Sequence, residues 1–391
     1  MSDLPQMPFQ RRHKLDVPPT YRELREHAPI TRVRTPVGDE VWLVTGYEDV
    51  RRMFADDRLG RSHPDPASAA RVSGSVMLGG PMGEFDTEKQ EHQRMRKLLA
   101  PAFSARRMKA LSGHVQELVG GLLDEMARNA PPLDLHEHLS FPLPVLVICE
   151  LLGVPFEDRH LFRALSDGMA ITTDPAASSA AMEKFSAYIL ELVEHKRRHP
   201  SEDVLSDLAG MDADDTEIAR LGAGLLFAGH ETTLNRIDYG VVFLLSDLAQ
   251  RDALAADPSL APAAVEEILR MTSPSDHGLP RYAKTDIQYG EVTIRAGEAV
   301  VLIPSAANRD EGVFDDPDVF DIRRETSEPH VAFGYGQHYC IGANLARVEL
   351  TEVFRALFQR FPTMELAVPV EELRTRTDRL TGGLLEVPVT W

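Results

Sequence analysis

The sequence predicts a mainly α protein with small β-sheets, and three observations predict it. Helical apolar periodicity fills most of the 391 residues. Strand-like runs are few and short. A glycine-rich loop carrying one cysteine directly precedes another helical pattern near the C-terminus. At 43% hydrophobic residues the chain can bury a large core. It contains no linker, low-complexity tract or internal repeat, so residues 1–391 are expected to form a single domain.

In chain order, Val41-Trp-Leu-Val-Thr45 is a β-branched run, and Tyr47-Glu48-Asp49 after it reads as a helix start. Helical spacing then predicts helices over residues 105–129, 142–152, 180–195, 216–248 and 262–271. Asp214 and Glu217 form the expected capping pair of the longest of these. Residues 292–294 and 299–303 read as strands around a turn at Arg295-Ala296-Gly297. Ile341, Leu345, Val348, Val353, Leu357 and Phe361 mark the last helix, which places Cys340 at its N-terminus.

Composition narrows the function classes. A net charge of −19 argues against nucleic acid or an anionic membrane as partner. The first nineteen residues lack the apolar core of a signal peptide, and no run of about 18 apolar residues occurs, so no membrane span is expected. Two distant cysteines, Cys149 and Cys340, make no disulfide framework and indicate a reducing compartment, the cytoplasm. A monomer is the default expectation.

Cys340 lies in Phe333-Gly-Tyr-Gly-Gln-His-Tyr-Cys-Ile-Gly342. The glycines let backbone approach a flat ligand, and a helix N-terminus favours thiolate over thiol. Such a thiolate suits an axial haem ligand, a nucleophile or a zinc ligand, although no second cysteine stands at zinc spacing. A second motif, Ala228-Gly229-His230-Glu231-Thr232-Thr233, falls mid-way along the longest helix. Gly229 weakens that helix and Thr232 can bond back to the Ala228 carbonyl, which predicts a kink or widened turn there. A third, Glu267-Ile-Leu-Arg270, places opposite charges on one helix face.

The pattern Phe-Gly-x-Gly-x-His-x-Cys-x-Gly resembles the haem-binding loop of the cytochrome P450 family, and every fixed position is filled. The resemblance implies a triangular helical prism, with haem b held between the long central helix and the helix after Cys340. Cys340 would be the axial iron ligand, and Phe333, Gly334, His338, Gly342, Ala228 and Gly229 would line the haem. Glu231 and Thr232 match the family's acid–alcohol pair for proton delivery. Glu267 and Arg270 match its Glu-x-x-Arg pair, with Arg324 (or the adjacent Arg323) as the later structural arginine. His92, Arg96, Arg281 and His330 match positions that neutralise the haem propionates. The chain departs from bacterial relatives at Glu88-Lys89-Gln90, where Asp-Pro-Pro is frequent.

By the same resemblance the reaction is insertion of one oxygen atom from dioxygen into a C–H or C=C bond. The substrate expected is a bacterial secondary metabolite such as a polyketide or macrolide. Terpenoid, steroid or aromatic substrates stay open, as do a peroxide-driven haem-thiolate enzyme and a non-catalytic haem-binding protein. No flavin or ferredoxin domain is present, so a separate ferredoxin and ferredoxin reductase are implied, docking near Arg94, Arg96 and Lys97. Family correspondence assigns the substrate pocket to Met77, Leu78, Met82, Leu225, Leu226, Leu279 and Leu380. Asp276 and His277 stand where relatives often carry apolar residues, and His277 is counted with the pocket.

Overall fold

The computed structural model describes residues 4–75, 79–169, 171–273, 275, 277–379 and 381–391. Helices come first in amount. They are α1 (Thr20–His27), α2 (Tyr47–Phe54), α3 (Glu88–Leu99), α4 (Ala105–Met126), α5 (Pro142–Leu152), α6 (Arg159–Met169) and α7 (Pro175–Arg198). Then follow α8 (Val204–Ala209), α9 (Asp215–Ser246), α10 (Leu248–Ala256), α11 (Ala261–Met271), α12 (Pro304–Ala307) and α13 (Ala343–Arg360).

The strands are β1 (Ile30–Arg34), β2 (Glu40–Val44), β3 (Leu59–Gly60), β4 (Leu133–Asp134), β5 (Leu279–Ala283), β6 (Ile287–Tyr289), β7 (Val292–Ile294), β8 (Ala299–Leu302), β9 (Glu365–Leu366) and β10 (Pro388–Thr390). Five of them form a sheet in the order β1-β2-β8-β5-β3, in which only β2 and β8 run parallel. Arg281 sits opposite Val300 there, so β8 fixes its height in the sheet. A three-stranded sheet (β4-β10-β9) and the β6–β7 hairpin complete the β structure.

The main core gathers round α9, against which α5, α7, α11 and α13 pack. Close approach is built into the sequence: a Cβ at Gly240 on α9 would lie 2.4 Å from the Phe354 ring on α13. Caps set the helix ends. Asp174 accepts from the Ala177 N–H at 2.9 Å with Pro175 in the first turn, which starts α7 five residues before the periodic pattern does. The intervening Ala-Ala-Ser-Ser run has no apolar period, but alanine is the strongest helix former. The expected helix over 216–248 ends earlier, because Asp247 leaves the helix and caps α10 through the Ala249 and Gln250 N–H groups.

Two further expectations are corrected. Asp214 caps α9 by accepting from the Glu217 N–H at 2.8 Å, but the Glu217 carboxylate turns to Arg94 (2.7 Å) instead of closing the box. Helix α9 also runs as unbroken α-helix through Gly229. Thr232 donates to the Ala228 carbonyl at 2.8 Å, and the helix accommodates that bond without a break. Among the described residues, no helix is long and apolar enough to cross a membrane.

Candidate functional site

Cys340 sits in the loop ahead of α13, three residues before the first helical residue, with Gly342 as the N-cap. Its N–H donates to the Phe333 carbonyl at 2.9 Å, closing the loop on itself. Gly334 and Gly336 take φ of +72° and +69°. A side chain at Gly336 would also press on the backbone of Phe54 and Ala55 at 3.0–3.1 Å, so glycine is required twice over. Cys340 is reached by solvent although protein packs densely around it. Burial pushes its thiol up, while the Gly342 N–H, Arg96 and Arg347 pull the other way. The helix end therefore does not make a thiolate unaided; a bound metal cation would. Cys149, by contrast, lies in the core with its thiol raised to about 12 by burial.

Beyond the loop lies a collection of cations that sequence matching only partly foresaw. The His92 and His338 rings lie 4.1 Å apart. The electrostatics of His92 are set by Arg96, Arg61, Glu88 and Arg281, after burial itself. Burial first, then Arg281, His92 and Arg61, depress His338 to about 3. Arg281 is 7% exposed, donates among the described residues only to the Pro280 carbonyl (2.8 Å), and is lowered to about 10, mostly by burial. Burial would raise Glu88, the one nearby carboxylate among the described residues. Its bonds to the Ser62 hydroxyl, the Arg61 N–H and Lys284 hold it at about 2 and use it up. Arg96 joins this group to the cysteine loop by donating to the Tyr339 carbonyl at 2.9 Å.

A buried guanidinium without a counter-ion is costly unless an anion comes to it. Two propionates on a flat ring, with the thiol of Cys340 as metal donor, fit this donor set. Arg61 and Glu88 were missed by sequence reasoning, because neither lies in a motif. His330 was expected in the set and is elsewhere. Its Nε2 stands 3.2 Å from the Glu266 carboxylate, which Arg347 also grips at 2.6 Å, so the nearer acid on α11 holds it. Phe333 lies under the Arg347 guanidinium, 4.7 Å from ring centre to carbon.

On α9, Gly224, Ala228, Thr232 and Arg236 recur every four residues and are accessible or half-buried, in a helix whose middle is otherwise mostly buried. Gly229 packs on α5, where a Cβ would lie 3.0 Å from Ile148. Glu231 points away from the open stripe and is 3% exposed. Burial raises its carboxyl, Asp167 adds to this, and a short bond from the Thr381 hydroxyl opposes it together with Arg376 and Arg379. Leu225 and Leu226 belong to the core instead of the stripe. Leu279 is half-buried at the start of β5. Met82 takes the Arg61 guanidinium on its sulfur at 2.9 Å. Met77, Leu78, Asp276 and Leu380 lie outside the described residues.

Glu267, Arg270 and Arg324 meet at the segment 308–321, whose carbonyls both arginines hold. Glu267 accepts from Arg270 at 2.7 and 2.8 Å, from Arg324 Nε at 3.1 Å and from the Asp321 N–H at 3.0 Å. Arg323 is exposed and takes no part. Arg94 is committed to Glu217 and the Asp212 carbonyl, which withdraws it from the expected docking group, whereas Lys97 is exposed and without an ion pair among the described residues.

Residues 169–379 match the model of the family described as Cytochrome P450. Over 100% of both chains the sequence is 45% identical to the pentalenolactone synthase of Streptomyces exfoliatus. It is 39% identical to the mycinamicin IV hydroxylase/epoxidase of Micromonospora griseorubida, over 98% of each. The fold superposes on the crystal structure of CYP105P1 in complex with filipin I with a TM-score of 0.92. The two are 36% identical, and the alignment covers 100% of this chain and 99% of that one.

Proposed function

The chain belongs to the cytochrome P450 family, and on that premise we propose a haem-thiolate monooxygenase that tailors a bacterial natural product, with residues 1–391 as one catalytic domain. The observation that carries the reading is the group of guanidiniums Arg281, Arg61 and Arg96 beside the neutral His92 and His338 rings, tied by Arg96 to the loop of Cys340. In this reading Cys340 would hold haem b through its thiolate, Arg96 and Arg281 would neutralise the propionates, and His92 would hydrogen-bond to them. When bound, haem with a cysteinate ligand supplies dioxygen activation for inserting one oxygen atom into a C–H or C=C bond.

The chain's own part is orientation and proton control. Thr232 presents its hydroxyl on the open stripe of α9, held by the Ala228 carbonyl. Glu231, with its carboxyl raised by burial, keeps a proton more readily than an exposed glutamate and can pass it on through Thr381. Glu267, Arg270 and Arg324 brace the segment 308–321. The name of one relative, mycinamicin IV hydroxylase/epoxidase, speaks for hydroxylation or epoxidation. Electrons would come from a ferredoxin and its reductase in the cytoplasm, docking a monomer near Lys97.

The test is the spectrum of the reduced carbon monoxide complex. Wild type should show the red-shifted thiolate-type Soret band, and Cys340→His should lose that band while still binding haem. A wild-type protein without the band overturns the proposal.

A further inference from the structure

Arg236 stands on α9 one helical turn after Thr232, on the same stripe. The position belongs to no motif in the sequence, and an arginine there is costly. Among the described residues it has no carboxylate partner, and its one hydrogen bond, to the Thr272 carbonyl, is long at 3.4 Å. A guanidinium carries five N–H donors in a planar fork suited to a carboxylate. Burial also pulls its pKa down to about 10, in keeping with a cation lacking a counter-charge.

The surroundings extend this sign of charge. Among the described residues, a cavity of about 500 Å³ is lined by Arg12, Lys14, Arg376 and Arg379, with Glu371 as the carboxylate facing them. Glu371 is itself 3.3 Å from His13. Among the described residues the Nε groups of Arg376 and Arg379 are buried without an acceptor, while Arg379 Nη1 pairs with Asp378 at 3.0 Å and Arg376 Nη2 lies 3.2 Å from His136. So cationic a cavity is unexpected in a chain of net charge −19. Its inner wall includes Tyr239, one turn beyond Arg236, and Ser275 and His277, from the loop whose Thr272 receives the Arg236 bond. At the other side, Gly382 borders it next to Thr381, the partner of Glu231. The lining thus includes near neighbours in the chain of Arg236 and of Thr381, while Arg236, Glu231 and Thr232 lie behind it.

We propose that the substrate is an organic acid whose carboxylate is drawn in through this cavity and held by Arg236, one helical turn from Thr232. Arg236 is then a specificity residue. It anchors the ionised end, so the carbon skeleton reaches back along the stripe toward Thr232, and oxidation falls on carbons at a set distance from the acid group. Neutral macrolactones would leave the guanidinium unmatched and bind more weakly.

The inference rests on the haem-thiolate reading, which the carbon monoxide spectrum checks separately. The experiment is Soret titration of ferric holoprotein with matched pairs: lauric acid and methyl laurate, abietic acid and methyl abietate, indole-3-acetic acid and its methyl ester. The best acid should bind about 10- to 100-fold tighter than its ester, the range for a hydrogen bond to a charged group. Arg236→Gln should erase that ratio, whereas Arg236→Lys should retain part of it. An arginine that merely ties α9 to Thr272 would lower Tm when replaced but leave the ratio alone. Equal binding of acid and ester, no response to any acid, or a ratio that survives Arg236→Gln overturns the assignment.

Discussion

Replacing Glu267 by alanine strands two guanidiniums. The carboxylate is 3% exposed and accepts four hydrogen bonds, two of them from Arg270, which is 2% exposed. Arg270 keeps bonds to the Asn308 (2.8 Å) and Pro317 (2.7 Å) carbonyls, but these carry no compensating charge. Removing one partner of a buried pair costs about 3–5 kcal/mol. With an unfolding entropy of roughly 2 cal/mol/K per residue, that lowers Tm by about 4–6 °C in a chain of this length. Circular dichroism melts of wild type, Glu267→Ala, Arg324→Ala and the double variant measure it. Once Glu267 is gone, removing Arg324 should cost at least ~1 kcal/mol less than it does in wild type. A Tm drop under about 1 °C for Glu267→Ala, or strict additivity in the double variant, refutes the reasoning.

Other outcomes follow from single groups. Glu349 on α13 is 1% exposed, its Oε2 lacks a partner among the described residues, and burial holds its carboxyl well above 4.5. The folded state keeps a proton that the unfolded chain releases, so stability falls as pH rises from about 4.5 toward the folded-state value. Glu349→Gln should match wild type near pH 4 and gain roughly 1–2 °C in Tm per pH unit above it, whereas parallel Tm–pH curves would contradict this. Thr232→Ala should keep haem and the thiolate spectrum but lower product per reducing equivalent by about 10-fold or more, with peroxide formed instead; full coupling would remove Thr232 from proton delivery. Lys97→Glu should slow reduction by ferredoxin several-fold at low salt and less at high salt, and an unchanged rate would move the docking face elsewhere.

Motifs whose residues are neighbours in the chain are legible from residue order alone. The Cys340 loop declares itself because positive-φ glycines and a cysteine must be contiguous to cradle a flat ligand. The Glu267–Arg270 pair does so because residues three apart share a helix face, and α5 and α11 because apolar period and proline starts coincide. Helix α7 begins earlier than its pattern, since alanine propensity and an Asp174 cap leave no apolar period to read.

By itself, then, the sequence determined the helical architecture, the cysteine loop and the position of the acid–alcohol pair along α9. Only the tertiary structure decided how charges distant in sequence are grouped. It brought Arg61 and Glu88 to His92, gave His330 to Glu266 and Arg94 to Glu217, and left Arg236, among the described residues, with a carbonyl in place of a carboxylate. The reason is physical: Coulomb and hydrogen-bond energies depend on separation in space and on burial, and neither is encoded in residue spacing across a hundred positions or more.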